Sequence, residues 1–301
     1  MSTSAELRSG PAPASAPVPA RRRSRLRTDT GERPNWVGAL VAFLWLAVVI
    51  LPIYWIVITS LKNQNDYFVT NTMKPPSHPS LDPYRRVLES SFPRYFLNSV
   101  IVTVGTIVPA VTISFMAAFA IVRGNSRFLR GTSVLFLAGL ALPLQAVVIP
   151  VYLIIIRLQL YDTLVAIILP SIAFAIPLSV LILANFIRDV PKELFESMRL
   201  DGASEWGTLW YLAFPLVRPA LVTVSIYNGL TVWNGFILPL ILTQNPEQRT
   251  LPLALQAFQG QFQIDIPAVL AAVVLATLPV VVLYILGRRQ LVSGLTAGFS
   301  K

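Results

Sequence analysis

The sequence predicts an all-α, polytopic membrane protein with six transmembrane helices and one structured loop between the fourth and the fifth. Three observations predict it. Hydrophobic residues make up 54% of the 301-residue chain and charged residues only 13%, against about 25% charged in an ordinary soluble domain. Six charge-free intervals are long enough to cross a bilayer, which takes about 20 mainly apolar residues. The basic residues, finally, are distributed unequally between the segments that separate those intervals.

In chain order, residues 1–33 mix Ala, Pro, Ser and Arg with almost no large apolar side chain, so the expectation is a disordered basic tail. Its Arg21, Arg22, Arg23, Arg25 and Arg27 suit anionic lipid headgroups at a membrane better than nucleic acid. The first span follows at about 36–60. Its apolar run is too long for a signal peptide and no small-residue cleavage site follows, so it reads as a retained anchor. Residues 62–94 form a charged outer segment. The next spans are expected at about 96–122, 131–156 and 163–187. Residues 188–218 interrupt the series, and spans at about 219–243 and 266–287 complete it. Residues 250–264 are too short to cross and carry four glutamines.

With the N-terminus inside, 17 of the 24 Lys and Arg residues fall on the cytoplasmic side and 7 outside. The positive-inside rule therefore places both termini in the cytoplasm. The net charge of +10 is explained by this topology, without a nucleic-acid partner. The absence of Cys and the single His78 remove thiol chemistry and a histidine-built metal or triad site; no catalytic and no metal-binding residues are expected.

The loop at 188–218 holds nine charged residues, each costing about 3 kcal/mol at a membrane centre, so it cannot span. Asp189 and Pro191 are helix-start signals, and Gly202 after Asp201 reads as a helix stop or tight turn. A second short helix fits Ser204 to Phe214, with Trp206, Leu209, Trp210 and Ala213 on one face and Pro215 ending it. A helix, a Gly turn and a helix, with apolar groups ringed by charge, suit a partner-docking surface. The same pattern fits an amphipathic hairpin lying on the bilayer.

The run Glu193-Leu194-Phe195-Glu196-Ser197-Met198-Arg199-Leu200-Asp201-Gly202-Ala203, followed by Phe214-Pro215-Leu216 and Pro219-Ala220-Leu221, resembles the EAA motif of ABC importer permeases. Asn98-Ser99, Trp233-Asn234, Thr250-Leu251-Pro252 and the closing Leu291 to Lys301 are similar to the carbohydrate-type, maltose-transporter-like members. Ser197 and Met198 stand where the motif has two alanines, and Gly235 stands where an acidic residue is common. The resemblance covers about Trp36 to Lys301. It implies that Glu193, Glu196, Arg199, Asp201, Gly202 and Ala203 couple the chain to an ATPase dimer. It also implies a second homologous permease and an extracellular sugar-binding protein, contacted by Gln256, Phe258, Gln259, Gly260 and Gln261. No cofactor is expected in this chain, since ATP and Mg belong to the partner ATPase, and the chain is expected to be a transport subunit and no enzyme. By position, Gly202 allows the turn and Asp201 caps the helix after it.

A sugar path needs neutral hydrogen-bonding groups inside the bundle, and Asn98, Gln145, Asn228, Trp233 and Asn234 are the candidates. Most intramembrane polar groups only bond neighbouring backbone. Eight prolines are expected to kink the spans, Pro109, Pro143 and Pro239 among them. The six intervals contain no charge, which disfavours an ion-coupled secondary transporter. No Walker-type phosphate loop occurs, as a chain carrying its own ATPase would need. A permease for a non-sugar solute remains the alternative within the family.

Overall fold

The computed structural model describes residues 36–255 and 265–297. The expectations for the tail at 1–33 and for Gln256, Phe258, Gln259, Gly260 and Gln261 lie outside the described residues. All regular structure within them is helical. The chain divides after Val48 into two units. The described part of the first, residues 36–48, is the opening half of α1 (Trp36–Ser60), and every one of its side chains is exposed. That is the pattern of a span with lipid for solvent.

The second unit begins with the foot of α1, where Ile58, Thr59 and Ser60 become buried. The Ser60 and Tyr84 hydroxyls share a 2.7 Å hydrogen bond, and buried Lys62 donates from Nζ to the carbonyls of Asn71 and Thr72 at 3.0 and 3.4 Å. These bonds hold a small polar layer built from α2 (Gln64–Val69) and α3 (Asp82–Glu89). α4 (Phe92–Arg123), α7 (Leu164–Arg188) and α10 (Phe214–Trp233) form the packed centre, and α13 (Ile266–Ala297) lies on α10.

Two buried clusters mark the two ends of this bundle. One gathers Phe115, Phe119, Ile187, Phe195, Leu209 and Val217. The other gathers Val87, Tyr95, Trp233, Leu251, Ala268 and Ala271. α4 runs from the second to the first, α7 ends at the first, and α10 runs back to the second.

The third span is not the single helix expected at 131–156. It is a broken pair, α5 (Arg127–Leu140) and α6 (Leu144–Arg157), bent by 108°. Pro143 explains the break. It has no N–H to continue the ladder and it disfavours helical φ/ψ at Leu142. Together the pair still carries the chain from the end of Arg123 to the end of Asp162, which bonds to the backbone after α11 (Ile237–Leu242). Among the described residues five helices are long and apolar enough to cross a membrane, and the bent pair passes the same test of length and composition when its two halves are taken together as one span.

The loop helix expected to stop at Pro215 does not stop. α8 (Lys192–Leu200) and α9 (Glu205–Thr208) flank the Gly turn as predicted, but α9 passes through a π turn at Leu209–Ala213 straight into α10. The Phe214 N–H bonds to the Leu209 carbonyl, five residues back. Pro215 then sits in the first turn of α10, where the shift of hydrogen-bond register leaves its missing N–H without cost. The fifth span is therefore the upper part of a 29-residue helix, Glu205–Trp233. It ends at Trp233, ten residues short of the expected limit, because Asn234-Gly235 breaks it before α11.

Candidate functional site

A cavity of about 440 Å³ opens at the middle of the second unit, between α4, the elbow of α5 and α6, α7, α10 and α11. Five residues of α7, Ile167, Ser171, Phe174, Ala175 and Leu178, line it at i, i+4, i+7, i+8 and i+11, one helical face. α10 contributes Tyr227, Asn228 and Thr231, and Phe236 begins the turn into α11. Among the described residues no Asp, Glu, Lys, Arg or His lines the cavity.

Its polar groups are held in fixed poses. Asn228 is buried and donates from Nδ2 to Ser179 Oγ at 2.8 Å, while Ser179 Oγ itself donates to the Ala175 carbonyl at 2.6 Å. Ser171 and Thr231 hydroxyls donate to carbonyls one turn back, at 2.7 and 2.9 Å. Thr250 is buried at the rim of the cavity, and its hydroxyl has no partner among the described residues. Hydroxyls, one amide and three aromatic rings, with no formal charge, can bind a neutral polar solute by hydrogen bonds and ring stacking. The volume lies within the 300–1,000 Å³ of small-molecule sites.

The structure brings only Asn228 of the five predicted path residues to this cavity. Asn98 lies near the start of α4, where Nδ2 donates to the carbonyls of Glu247 and Arg249 at 2.8 and 2.9 Å. Trp233 packs edge-on to Phe96 and donates its indole N–H to the Ala276 carbonyl at 3.2 Å, joining α10 to α13. Asn234 donates to the Leu230 carbonyl at 2.8 Å and closes its own helix. With Trp233 it lines a smaller cavity of about 250 Å³. Gln145, exposed on the first turn of α6, lines neither. Tyr227, Thr231 and Ser171 were missed. Their spacing from Asn228 and along α7 was the available signal.

At the end of the bundle marked by Phe115, Phe119 and Phe195, α8 and α9 form a helical hairpin. Gly202 has φ +78°. Its N–H bonds to the Arg199 carbonyl at 3.1 Å and the Ala203 N–H to the Met198 carbonyl at 2.9 Å, the paired bonds of a Schellman motif. Asp201 is the residue that closes α8. The cap of the next helix comes instead from Ser204, whose Oγ accepts from the Gly207 N–H at 3.1 Å. The physical reason is spacing, since an N-cap side chain reaches the N–H two or three residues on. Glu193, Glu196, Arg199, Asp201 and Gly202 face solvent, Ala203 is half-buried, and Arg199 pairs with Glu205 across the turn at 3.5 Å.

Phe195 is the root of this hairpin. It is 3% exposed, packs on Phe119 of α4, and carries the Arg123 guanidinium 4.6 Å above its ring. Leu209 and Ala213 are buried in the same cluster, with Trp210 half-buried against it. Trp206 of the predicted apolar face remains exposed. Among the described residues no cluster of three or more His, Cys, Asp or Glu could hold a metal.

Residues 110–293 match the family of binding-protein-dependent transport system inner membrane components. The chain belongs to that family. This transport component is 37% identical to a putative ABC transporter permease protein of Caldicellulosiruptor over 90% of its own length and 98% of the relative's. It is 33% identical to the diacetylchitobiose uptake permease DasC of Streptomyces coelicolor, over 89% and 96%. It is 32% identical to the trehalose transport permease SugB of Mycobacterium tuberculosis, over 90% and 99%. In fold it is similar to a chain of a bacterial alginate ABC transporter solved with an alginate-bound periplasmic protein, with a TM-score of 0.60 and 14% identity over 85% of this chain and 96% of that one. The family makes the permease a multi-pass transport subunit of an ABC system and no enzyme.

Proposed function

We propose that this permease imports a sugar, handed over by an extracellular sugar-binding protein and driven by a separate ATPase dimer that holds ATP and Mg. The observation that carries the solute class is the uncharged cavity of hydroxyl, amide and aromatic groups around Asn228, whose chemistry matches neutral sugars. Relatives named for diacetylchitobiose and trehalose support the same reading.

Both termini face the cytoplasm of the cell membrane, so the hairpin of α8 and α9 is cytoplasmic. It is the coupling segment of the EAA motif, and Glu193, Glu196, Arg199, Asp201, Gly202 and Ala203 are the residues presented to the ATPase. Asp201 serves there as a surface carboxylate. A second homologous permease completes the path, and residues 256–261 meet the binding protein. Because Phe195, Leu209 and Ala213 root the hairpin in the packed centre, movement of the ATPase is carried to α4, α7 and α10 together, which is coupling between two distant sites.

The test is ATPase stimulation in the purified complex by its binding protein, loaded with a panel of mono- and oligosaccharides. Stimulation by one sugar class fixes the solute. No stimulation by any sugar, with stimulation by another solute, would overturn it.

A further inference from the structure

Two short motifs of the sequence, Asn98-Ser99 and Thr250-Leu251, each give one residue to the edge of the cavity, and the structure brings them into contact. Ser99 Oγ accepts from the Leu251 N–H at 2.8 Å, beside the two bonds from Asn98 to Glu247 and Arg249. On the other flank Asp162 Oδ1 accepts from the N–H groups of Gln244 and Asn245, both at 2.9 Å, and the Asp162 N–H bonds to the Leu242 carbonyl at 3.0 Å. Residues 243–251 are thus a strap, gripped by α4 on one side and by the link between α6 and α7 on the other. The strap leaves α11 and returns at Thr250, and both line the cavity; Ser99 lines it too.

The way the strap is held is unusual for this protein. Residues 244–247 are exposed and put no large apolar side chain into the core, so between buried Thr243 and the core residue Leu251 the holding falls to polar contacts, the side-chain-to-backbone bonds above and the Arg94–Glu247 ion pair at 2.6 Å. Such bonds exchange with water at little net cost. The link that supplies Asp162 contains both positive-φ non-glycine residues of the described chain, Gln159 at 59° and Asp162 at 63°, a conformation that persists only where the surroundings impose it. Thr250, where the strap meets the cavity, has a buried hydroxyl with no partner among the described residues, as expected of a group that finds one in a second arrangement.

We propose that Asn98, Ser99 and Asp162 are positioning residues of a releasable clasp: with its bonds made, residues 243–251 close the outer side of the cavity, and with its bonds exchanged for water they open it. The proposal rests on the sugar-path reading of the cavity and on the orientation given above.

The chain has no cysteine, so a Ser171→Cys substitution gives a single thiol in the cavity of this chain. In the complete reconstituted transporter, without ATP or binding protein, a membrane-impermeant thiol reagent added outside should label it slowly. Adding Asn98→Ala and Asp162→Gly, the latter keeping the left-handed backbone while removing the acceptor, should raise that rate about tenfold or more, as loss of several ordinary hydrogen bonds predicts, and raise ATPase activity in the absence of binding protein. An unchanged labelling rate in an assembled, ATP-hydrolysing complex would overturn the clasp. Should the broken clasp prevent assembly, a second variant decides: thiols at Asn98→Cys and Arg249→Cys joined by a short bifunctional reagent should stop uptake, and uptake that continues at the wild-type rate refutes the proposal. The cavity reading fails separately, and the clasp with it, if Ser171→Cys is never labelled from outside during turnover with ATP and loaded binding protein.

Discussion

The coupling-loop hairpin and the exposed strap are attached with different glue, although a buried cluster marks each end of the bundle. At the hairpin end, α8, the π turn and α10 are fixed to α4 and α7 by buried aromatic and aliphatic side chains, with Phe195, Phe119, Phe115 and Leu209 at the centre. The strap at the other end is anchored in a buried cluster through Leu251, and its water-facing part is attached by discrete polar contacts from Asn98, Ser99, Asp162 and Arg94. Hydrophobic packing is non-directional and is lost only when a whole face separates, so the hairpin end moves as one body. Single hydrogen bonds can be exchanged one at a time, so the strap end can open locally. One end is suited to receive force and the other to yield to it.

The sharpest way to break that contrast is Phe195→Ala. Emptying this site removes a buried aromatic from the root of the hairpin, a change that costs about 3–5 kcal/mol in well-packed cores. ATP-driven uptake should fall to background while the spans stay inserted, as read by membrane abundance and thermal melting of the purified complex. A melting curve matching wild type would show that the hairpin is not cemented by this ring.

Gly202→Asp acts one step further out. A Cβ at residue 202 would meet nothing within 4 Å, so the penalty is the left-handed backbone alone, about 1–2 kcal/mol. The variant should reach the membrane at normal levels and lose uptake, with ATP hydrolysis uncoupled from transport. Normal ATP-driven uptake would remove Gly202 from the coupling role.

Asn228→Ala tests the ground between the ends. It withdraws the amide that bonds Ser179, a net loss of about 1 kcal/mol, and takes one directional group from the cavity. Half-maximal uptake should require several-fold more loaded binding protein, with little change in the amount of complex; an unaltered dependence would place the solute elsewhere.

The smallest effect belongs to Arg199→Ala. Its pair with Glu205 has side chains 77% and 58% exposed, and exposed pairs contribute about 0–1 kcal/mol. Stability should hold within about 0.5 kcal/mol, so any loss of uptake would report contact with the ATPase rather than weakening of the turn.

Legibility in the sequence followed the same division. Membrane spans were readable because charge is excluded from hydrocarbon, and the Gly202 turn was readable because few residues accept φ +78°. The elbow at Pro143 was not. A proline inside an apolar run can kink a span or break it, and the tertiary contacts of the two halves decide which. Pro215 misled for a related reason, since the missing N–H that ends a helix elsewhere is harmless where a π turn has already shifted the ladder. Within the site, Asn228 was found and Asn98, Trp233, Asn234 and Gln145 were placed elsewhere. An amide in a span looks alike whether it faces a solute, a neighbouring carbonyl or its own helix end.

The π turn has one more consequence, in length and stiffness. By joining α9 to α10 it makes one helix of 29 residues, roughly 43 Å at 1.5 Å per residue. Glu205 beside the Gly202 turn and Tyr227 and Asn228 in the cavity are therefore stations on the same rod. A loop ended by Pro215 would have absorbed a push at one station as slack; a continuous helix delivers it to the other as displacement along its axis.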